Sequence, residues 1–250
     1  IFGNYELAVE SNFSNQLKKI NQSITKAAKE LNDILILDIQ YQALMVGLDN
    51  WYDETLWSYS KNLCAMKYLP RVAASMSDMC ISTFVGSTKA VVIDLDNTIW
   101  GGVIGDDGLE GIELSDEDEG LVFKEFQYYL LELKKRGILL AIASKNSFEV
   151  AIDVFRKHPH MVIKEKDISA FAINWENKVQ NIKSIQKQLN IGFDSMVFLD
   201  DNKFEREMVK EYLPAVKVPN LPEDPACYIQ EINKYNLFET NSYTKLDEER

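Results

Sequence analysis

Two aspartates and a threonine follow an apolar run near the middle of the chain, in the segment Val91-Val92-Ile93-Asp94-Leu95-Asp96-Asn97-Thr98. The β-branched run predicts a strand that is buried on both faces. Because open parallel sheets bind ligands beyond the carboxyl ends of their strands, we expect Asp94 and Asp96 to meet substrate there. Two carboxylates held this close repel each other unless a cation or a proton lies between them, and Mg²⁺ is the simplest remedy. The alternative is an ordinary polar turn at a strand end.

Further polar groups follow the same pattern downstream. Ser144-Lys145-Asn146 follows the apolar run 138–143, and Asp200-Asp201-Asn202 follows the run 196–199. Lys178 stands at the start of a helical pattern, where it offers a compact positive charge. A strand-end serine or a helix lysine is by itself more often a cap or part of a solvated face. The ordered set, however, predicts a site that holds a phosphate group.

The order Asp-x-Asp-x-Thr, Ser, Lys and Asp-Asp across residues 89–220 resembles the four motifs of the haloacid dehalogenase (HAD) superfamily. The glycine-rich continuation through residue 108 is similar to the FkbH-like branch of that superfamily. The resemblance implies an α/β fold with a Rossmann-like core, a central parallel sheet and Mg²⁺ as the cofactor. Members of this branch are linked to loading a glyceryl unit from a phosphorylated glycolytic acid onto an acyl carrier protein, or are described as phosphatases.

The resemblance also implies roles for the site residues. Asp94 is the expected nucleophile and first metal ligand. Asp96 is the expected general acid and base, with its backbone carbonyl as its metal contact. Asp201 is the expected third metal contact, because Glu205 four residues later parallels the family's Gly-Asp-x-x-x-Asp spacing. Asp200 and Glu205 are expected to contact the metal ligands rather than the metal, with a contact to the metal through water as the alternative for Asp200. The phosphate-binding side chains are expected to be Asn97, Thr98, Ser144, Lys145, Asn146 and Lys178.

The elements that must position these residues follow from periodicity. Helical spacing of apolar residues predicts helices over 11–32 and over 70–84, and the run 34–39 predicts a buried strand. Four glycines in 101–108, with an Asp-Gly pair, predict a mobile flap with a hairpin turn beside the site. The segment 216–219 predicts a last strand.

Three segments are predicted along the chain. Residues 1–88 form a partial α/β module that resembles the tail of an SGNH hydrolase and lacks the histidine that such a hydrolase needs. Residues 89–240 form the phosphatase-like core, and residues 241–250 begin a further, truncated segment. The interval 102–144 holds only the flap and one helix, and the interval 145–177 holds one helix and a short connection, so no separate cap domain fits. The resemblance to capless HAD enzymes then implies a large or protein-tethered substrate, or a cap supplied by another domain.

Composition excludes several classes of partner and site. The net charge of −12 and the pI near 4.7 argue against nucleic acid and anionic membranes as partners. No apolar run is long enough to span a bilayer, and no signal peptide opens the chain. The scattered Cys64, Cys80 and Cys227 give no zinc or disulfide framework and favour a reducing compartment, so we expect a cytoplasmic protein.

The sequence therefore predicts a Mg²⁺-dependent HAD-type phosphatase or phosphotransferase that acts through an aspartyl-phosphate. The expected substrate is a phosphorylated three-carbon acid or a carrier-tethered phosphate ester, with an acyl carrier protein as a candidate partner. Two alternatives stay open. One is glyceryl or acyl transfer to a carrier protein, and the other is a non-catalytic HAD scaffold that binds a carrier or partner enzyme.

Overall fold

A computed structural model describes residues 3–31, 34–84 and 86–240. The chain divides into two compact units, Ile1–Cys80 and Ile81–Arg250. The predicted boundary at residue 88 stays a prediction, and the tail predicted at 241–250 lies outside the described residues. None of the helices in the described part of the chain has both the length and the apolar character needed to cross a bilayer.

The described part of the first unit is helical. Its helices are α1 (Phe13–Leu31), α2 (Ile39–Val46), α3 (Leu48–Trp51), α4 (Glu54–Ser60) and α5 (Leu69–Phe84), whose last residues belong to the second unit. The predicted helices over 11–32 and 70–84 correspond to α1 and α5. The predicted strand over 34–39 is wrong, because residues 34–38 have no regular structure and Ile39 begins α2.

The second unit is a layered α/β domain. Its strands are β1 (Ala90–Ile93), β2 (Leu139–Ser144), β3 (Ile168–Ile173) and β4 (Met196–Leu199). Its helices are α6 (Ile104–Gly111), α7 (Asp118–Lys135), α8 (Phe148–Lys157), α9 (Lys178–Leu189), α10 (Lys203–Tyr212) and α11 (Tyr228–Lys234). The four strands are parallel in the order β3-β2-β1-β4. This confirms the predicted fold class.

Alternate residues of β1 face two separate apolar layers, as expected for a strand covered on both sides. Val91 and Ile93 join the layer that includes Phe126 of α7 and Phe155 of α8. Val92 joins the opposite layer, which includes residues of α9 and α10. The sheet is therefore sandwiched between helices, and side chains that follow the strands are left at its edge.

Three details of the core differ from the prediction. The interval that follows Lys166 holds β3, a strand that was not predicted. The flap contains α6 rather than a hairpin turn, because the Asp107 carboxylate accepts a hydrogen bond from the Val103 backbone N–H (2.7 Å) and supports the start of that helix. The segment 216–219 is not a full strand, since only Lys217 bridges to Val197.

Candidate active site

The site lies where the strand order reverses. The chain runs from β1 through β2 to β3 on one side, and then places β4 on the other side of β1. Such a switch point opens a crevice at the carboxyl ends of the two strands that flank it, here β1 and β4. Ile93 and Leu199 are register partners, and the Asp94 backbone N–H donates to the Leu199 carbonyl (2.9 Å). Asp94 and Asp200 therefore leave neighbouring strands at the same level.

Three carboxylates converge in this crevice. Asp94, Asp200 and Asp201 each present an oxygen atom that lies within 4.8 Å of the other two. The sequence predicts Asp200 either as a support of the metal ligands or as a ligand through water, and the structure places its carboxylate beside those of Asp94 and Asp201. The structure thus brings together the acids that follow β1 and β4.

Lys178 supplies the positive charge of the crevice. It is the first residue of α9, whose start is capped by the Asn177 side chain, and only 2% of the lysine side chain is exposed. Its Nζ lies 2.5 Å from Asp94 Oδ1 and 3.1 Å from Asp200 Oδ2, and donates to the Ala143 carbonyl (2.8 Å). Burial lowers the pKa of Lys178, but the two carboxylates outweigh burial and raise it, so the ammonium stays charged.

One ammonium does not balance three carboxylates. Burial, followed by the negative charge of Asp94, raises the pKa of Asp200 to about 7. The same two causes raise the pKa of Asp201. A divalent cation relieves the repulsion between carboxylates that are ionised together. Carboxylate oxygen is also a donor that Mg²⁺ prefers. The chemistry of this donor set therefore fits Mg²⁺.

The carboxylate of Asp96 lies outside the group of three and is held by hydrogen bonds. Its Oδ1 accepts from Trp100 Nε1 (2.9 Å) and from the Ile104 backbone N–H (3.1 Å). Its Oδ2 accepts from Asn146 Nδ2 (2.8 Å). The predicted metal contact of Asp96 through its backbone carbonyl stays a prediction.

Ser144 and Asn146 lie together at the end of β2. Both are buried, and Asn146 Nδ2 also donates to Ser144 Oγ (3.1 Å). Asn146 therefore connects the predicted phosphate-binding hydroxyl with the carboxylate of Asp96. Lys145, between them in sequence, forms an ion pair with Glu205 Oε1 (2.5 Å).

Asn97 and Thr98 make structural contacts in this structure. Asn97 adopts a left-handed conformation with φ of 53°, and its Oδ1 accepts from the Gly102 backbone N–H (2.8 Å). The Thr98 hydroxyl donates to Asp201 Oδ1 (3.3 Å) and accepts from the Asp201 backbone N–H (3.2 Å). Asn97 thus shapes the flap and Thr98 orients Asp201, while their predicted contact with phosphate stays a prediction.

Two residues that support the site were missed from the sequence. Arg206 is buried in α10 and donates from one guanidinium nitrogen to the backbone carbonyls of Asp200 (2.7 Å) and Asp201 (2.6 Å). The Tyr228 hydroxyl donates to the Asn97 carbonyl (3.0 Å). The position of Arg206 one helical turn after the acids is a usable signal, whereas Tyr228 is 131 residues from Asn97 and has none.

Comparison with known proteins shows which proteins the chain is similar to. Residues 1–81 match the family model "FkbH, N-terminal domain". A crystal structure of the N-terminal part of the protein BF1531 from Bacteroides fragilis, which contains a phosphatase domain and is complexed with Mg, is 41% identical with a TM-score of 0.92. The alignment covers 97% of this chain, which spans 65% of that protein's chain. No curated protein matches the chain.

A HAD family enzyme from Bacteroides thetaiotaomicron, bt-2542, in complex with magnesium and inorganic phosphate, is more distant. It is 13% identical with a TM-score of 0.38, and the alignment covers 55% of this chain and 95% of that one. The predicted enzyme class and cofactor agree with the phosphatase-domain structure. The FkbH match and that structure together confirm the resemblance to the FkbH-like branch of the HAD superfamily that the motifs predicted.

Proposed function

We propose that the chain catalyses Mg²⁺-dependent phosphoryl transfer through a covalent phosphate on Asp94. The observation that carries this proposal is the convergence of three carboxylates and one buried ammonium at the switch point. The oxygens of Asp94, Asp200 and Asp201 lie within 4.8 Å of one another, and Lys178 Nζ lies 2.5 Å from Asp94. An anionic nucleophile can approach an anionic phosphate only where positive charge offsets their repulsion.

The residues that would hold the ion are Asp94, Asp200 and Asp201, with the backbone carbonyl of Asp96 as the further contact that the family resemblance implies. Bound there, Mg²⁺ supplies positive charge against the phosphate oxygens and orients them for in-line attack. Lys178 contributes a second, permanent positive charge that does not depend on the ion. Ser144, buried at the end of β2, is the hydroxyl that would donate to a phosphate oxygen.

The reaction follows in two balanced steps. A carboxylate oxygen of Asp94 forms a bond to phosphorus while the ester bond breaks, and the leaving oxygen takes its electron pair together with a proton from the Asp96 carboxyl. A water molecule then attacks the same phosphorus and gives its proton to the Asp96 carboxylate. The bond between phosphorus and Asp94 breaks, which releases phosphate and restores both aspartates to their starting state.

The proposal is tested with a generic ester, 4-nitrophenyl phosphate, with magnesium and with a chelator. We expect hydrolysis that requires magnesium and that Asp94→Asn abolishes, since the amide keeps the size of the side chain but is not a nucleophile. Asp49→Asn, at an exposed position of the first unit, is the matched control. Hydrolysis by a folded Asp94→Asn protein would refute the role of Asp94.

The finer proposal is that the substrate is a phosphorylated three-carbon acid or an ester presented by a carrier protein. An open crevice supports it, because each stretch between successive strands from β1 to β4 holds a few helices and no separate cap domain among the described residues. Trp175 beyond β3 and Phe204 beyond β4 are 77% and 71% exposed, which leaves apolar surface at the sheet edge where the site opens.

A panel of phosphorylated three-carbon acids, with and without an acyl carrier protein, tests this finer proposal. Release of phosphate that is indifferent to the carrier would identify a simple phosphatase. A glyceryl or acyl group found on the carrier thiol by mass spectrometry would identify transfer as the outcome. Turnover of 4-nitrophenyl phosphate but of no member of the panel would refute the three-carbon assignment and leave the phosphoryl chemistry intact.

A further inference from the structure

The carboxylate of Asp96 is held differently at its two oxygens. Oδ1 accepts two hydrogen bonds, one from the buried indole of Trp100 and one from the backbone N–H of Ile104, the first residue of α6. Oδ2 accepts one hydrogen bond, from the amide side chain of Asn146. A backbone amide and a packed indole are fixed donors, whereas a side-chain amide can rotate about its own bonds.

We infer that Trp100 and Asn146 are positioning residues that set which oxygen of Asp96 transfers the proton. Trp100 and the start of α6 anchor Oδ1, so Oδ2 is the oxygen that carries the proton to the leaving group and takes it back from water. Asn146 directs this oxygen and also donates to Ser144 Oγ, so one amide group positions both the acid and the hydroxyl that would bind phosphate. This inference rests on the proposed function and deepens it.

The surroundings of Trp100 are built to hold it still. Its side chain is fully buried, and its ring packs edge-on against Phe155 of α8 with ring centroids 6.1 Å apart. The next residue, Gly101, exchanges backbone hydrogen bonds with Glu113 in both directions (3.0 and 2.9 Å). A Cβ on Gly101 would lie 2.8 Å from the Phe123 ring, so the backbone that carries the indole is closely packed. The indole N–H therefore points at Asp96 without the entropy cost of ordering a free side chain.

The dependence of kcat/KM on the leaving group shows whether Trp100 and Asn146 position the acid or only stabilise the fold. An ester of an alcohol needs a proton on its departing oxygen, whereas nitrophenolate is stable enough to depart without one. Benzyl phosphate and 4-nitrophenyl phosphate are esters of similar size that differ in this respect. The ratio kcat/KM reports only the steps up to the transfer to Asp94, so the later role of Asp96 as a base does not enter.

The test variant is Trp100→Phe, which keeps an aromatic ring against Phe155 and removes the indole N–H. General acid catalysis contributes about 10²–10⁴-fold, and loosening the acid should forfeit part of it. We expect kcat/KM for benzyl phosphate to fall about 10- to 100-fold, and kcat/KM for 4-nitrophenyl phosphate to fall less than about threefold. Asn146→Ala removes a donor to Ser144 as well, so it should lower kcat/KM for both esters, with the larger loss on benzyl phosphate. Trp57→Phe, in the first unit beside Tyr52, is the matched control and should change neither value.

The outcomes are distinguishable. Equal losses on both esters in a folded Trp100→Phe protein, or no loss on benzyl phosphate, would overturn the positioning role. If Trp100→Phe does not fold by circular dichroism, Asn146→Ala decides by the same comparison. A wild-type protein that hydrolyses neither ester in magnesium would instead refute the proposed function on which this inference rests.

Discussion

Lys178→Met should destabilise the second unit when magnesium is absent. The substitution keeps an unbranched side chain of similar length and removes only the charge. It leaves Asp94 and Asp200 without the ammonium that lies 2.5 and 3.1 Å from them, and removes the hydrogen bond from this ammonium to the Ala143 carbonyl. Buried carboxylates without a partner are costly because water cannot solvate them.

The size of the effect follows from burial. Removing one partner of a buried ion pair costs about 3–5 kcal/mol. The Asp200 side chain is fully buried, but 13% of the Asp94 side chain is exposed, so solvent screens one of the two charges. We therefore expect about 3 kcal/mol, the lower end of that range. For a unit of this size each kcal/mol shifts Tm by about 2–4 °C, so the expected shift is about 6–12 °C.

Thermal unfolding followed by circular dichroism, in a chelator and in saturating magnesium, measures this shift. We expect the difference between wild type and variant to shrink in magnesium, because the cation replaces part of the lost positive charge. Lys187→Met, at an exposed position on the same helix, should change stability by less than about 0.5 kcal/mol. A Lys178→Met protein as stable as Lys187→Met in the chelator would refute the charge balance argued here.

Two further predictions concern buried polar side chains of the second unit. Gln127 is fully buried, donates to the Ile99 carbonyl (2.7 Å) and accepts from the backbone N–H groups of Val162 (2.9 Å) and Ile163 (3.1 Å). Gln127→Met leaves these three buried groups without their partner, so it should lower the free energy of unfolding, measured in urea, by about 2–4 kcal/mol. A loss below about 1 kcal/mol would contradict this account. Burial, and then nearby His160 and Lys164, lowers the pKa of His158. Below about pH 6.5 the His158 side chain therefore binds a proton more readily in the unfolded chain than in the folded protein. The free energy of unfolding should decrease there by at most about 1.4 kcal/mol for each unit by which the pH is lowered. Relative to His158→Gln, wild type should lose stability between pH 7 and pH 5, and a constant difference would refute the assignment.

The strands of the second unit can be predicted from the sequence where they are fully buried. β1, β2 and β4 are continuous apolar runs that end at polar residues, and three runs of this kind predict a parallel sheet. β3 was missed because an exposed serine, Ser169, interrupts its apolar run. Its signal is weak since it lacks the continuous apolar pattern of β1, β2 and β4.

The segment 34–39 shows the opposite error. Ile34, Leu35 and Ile36 form an apolar run with two β-branched residues, yet these three residues are 43–49% exposed and form no strand. A run of this composition becomes a strand only when another strand offers its backbone groups for pairing. The described residues of the first unit include no such strand. The segment therefore has no strand to pair with, and its β propensity alone does not form one.

The candidate site shows what motif spacing leaves undecided. Asp200 and Asp201 are adjacent, and side chains of successive residues in an extended chain point in opposite directions. The spacing to Glu205 favoured Asp201 as the metal ligand, whereas the carboxylates of both Asp200 and Asp201 reach the same crevice. The turn that allows this is held by Arg206, which binds the carbonyls of both residues from within α10. The direction of the carboxylates thus depends on a guanidinium that no motif includes, and an Arg206 substitution should disturb the acidic group without removing any of its members.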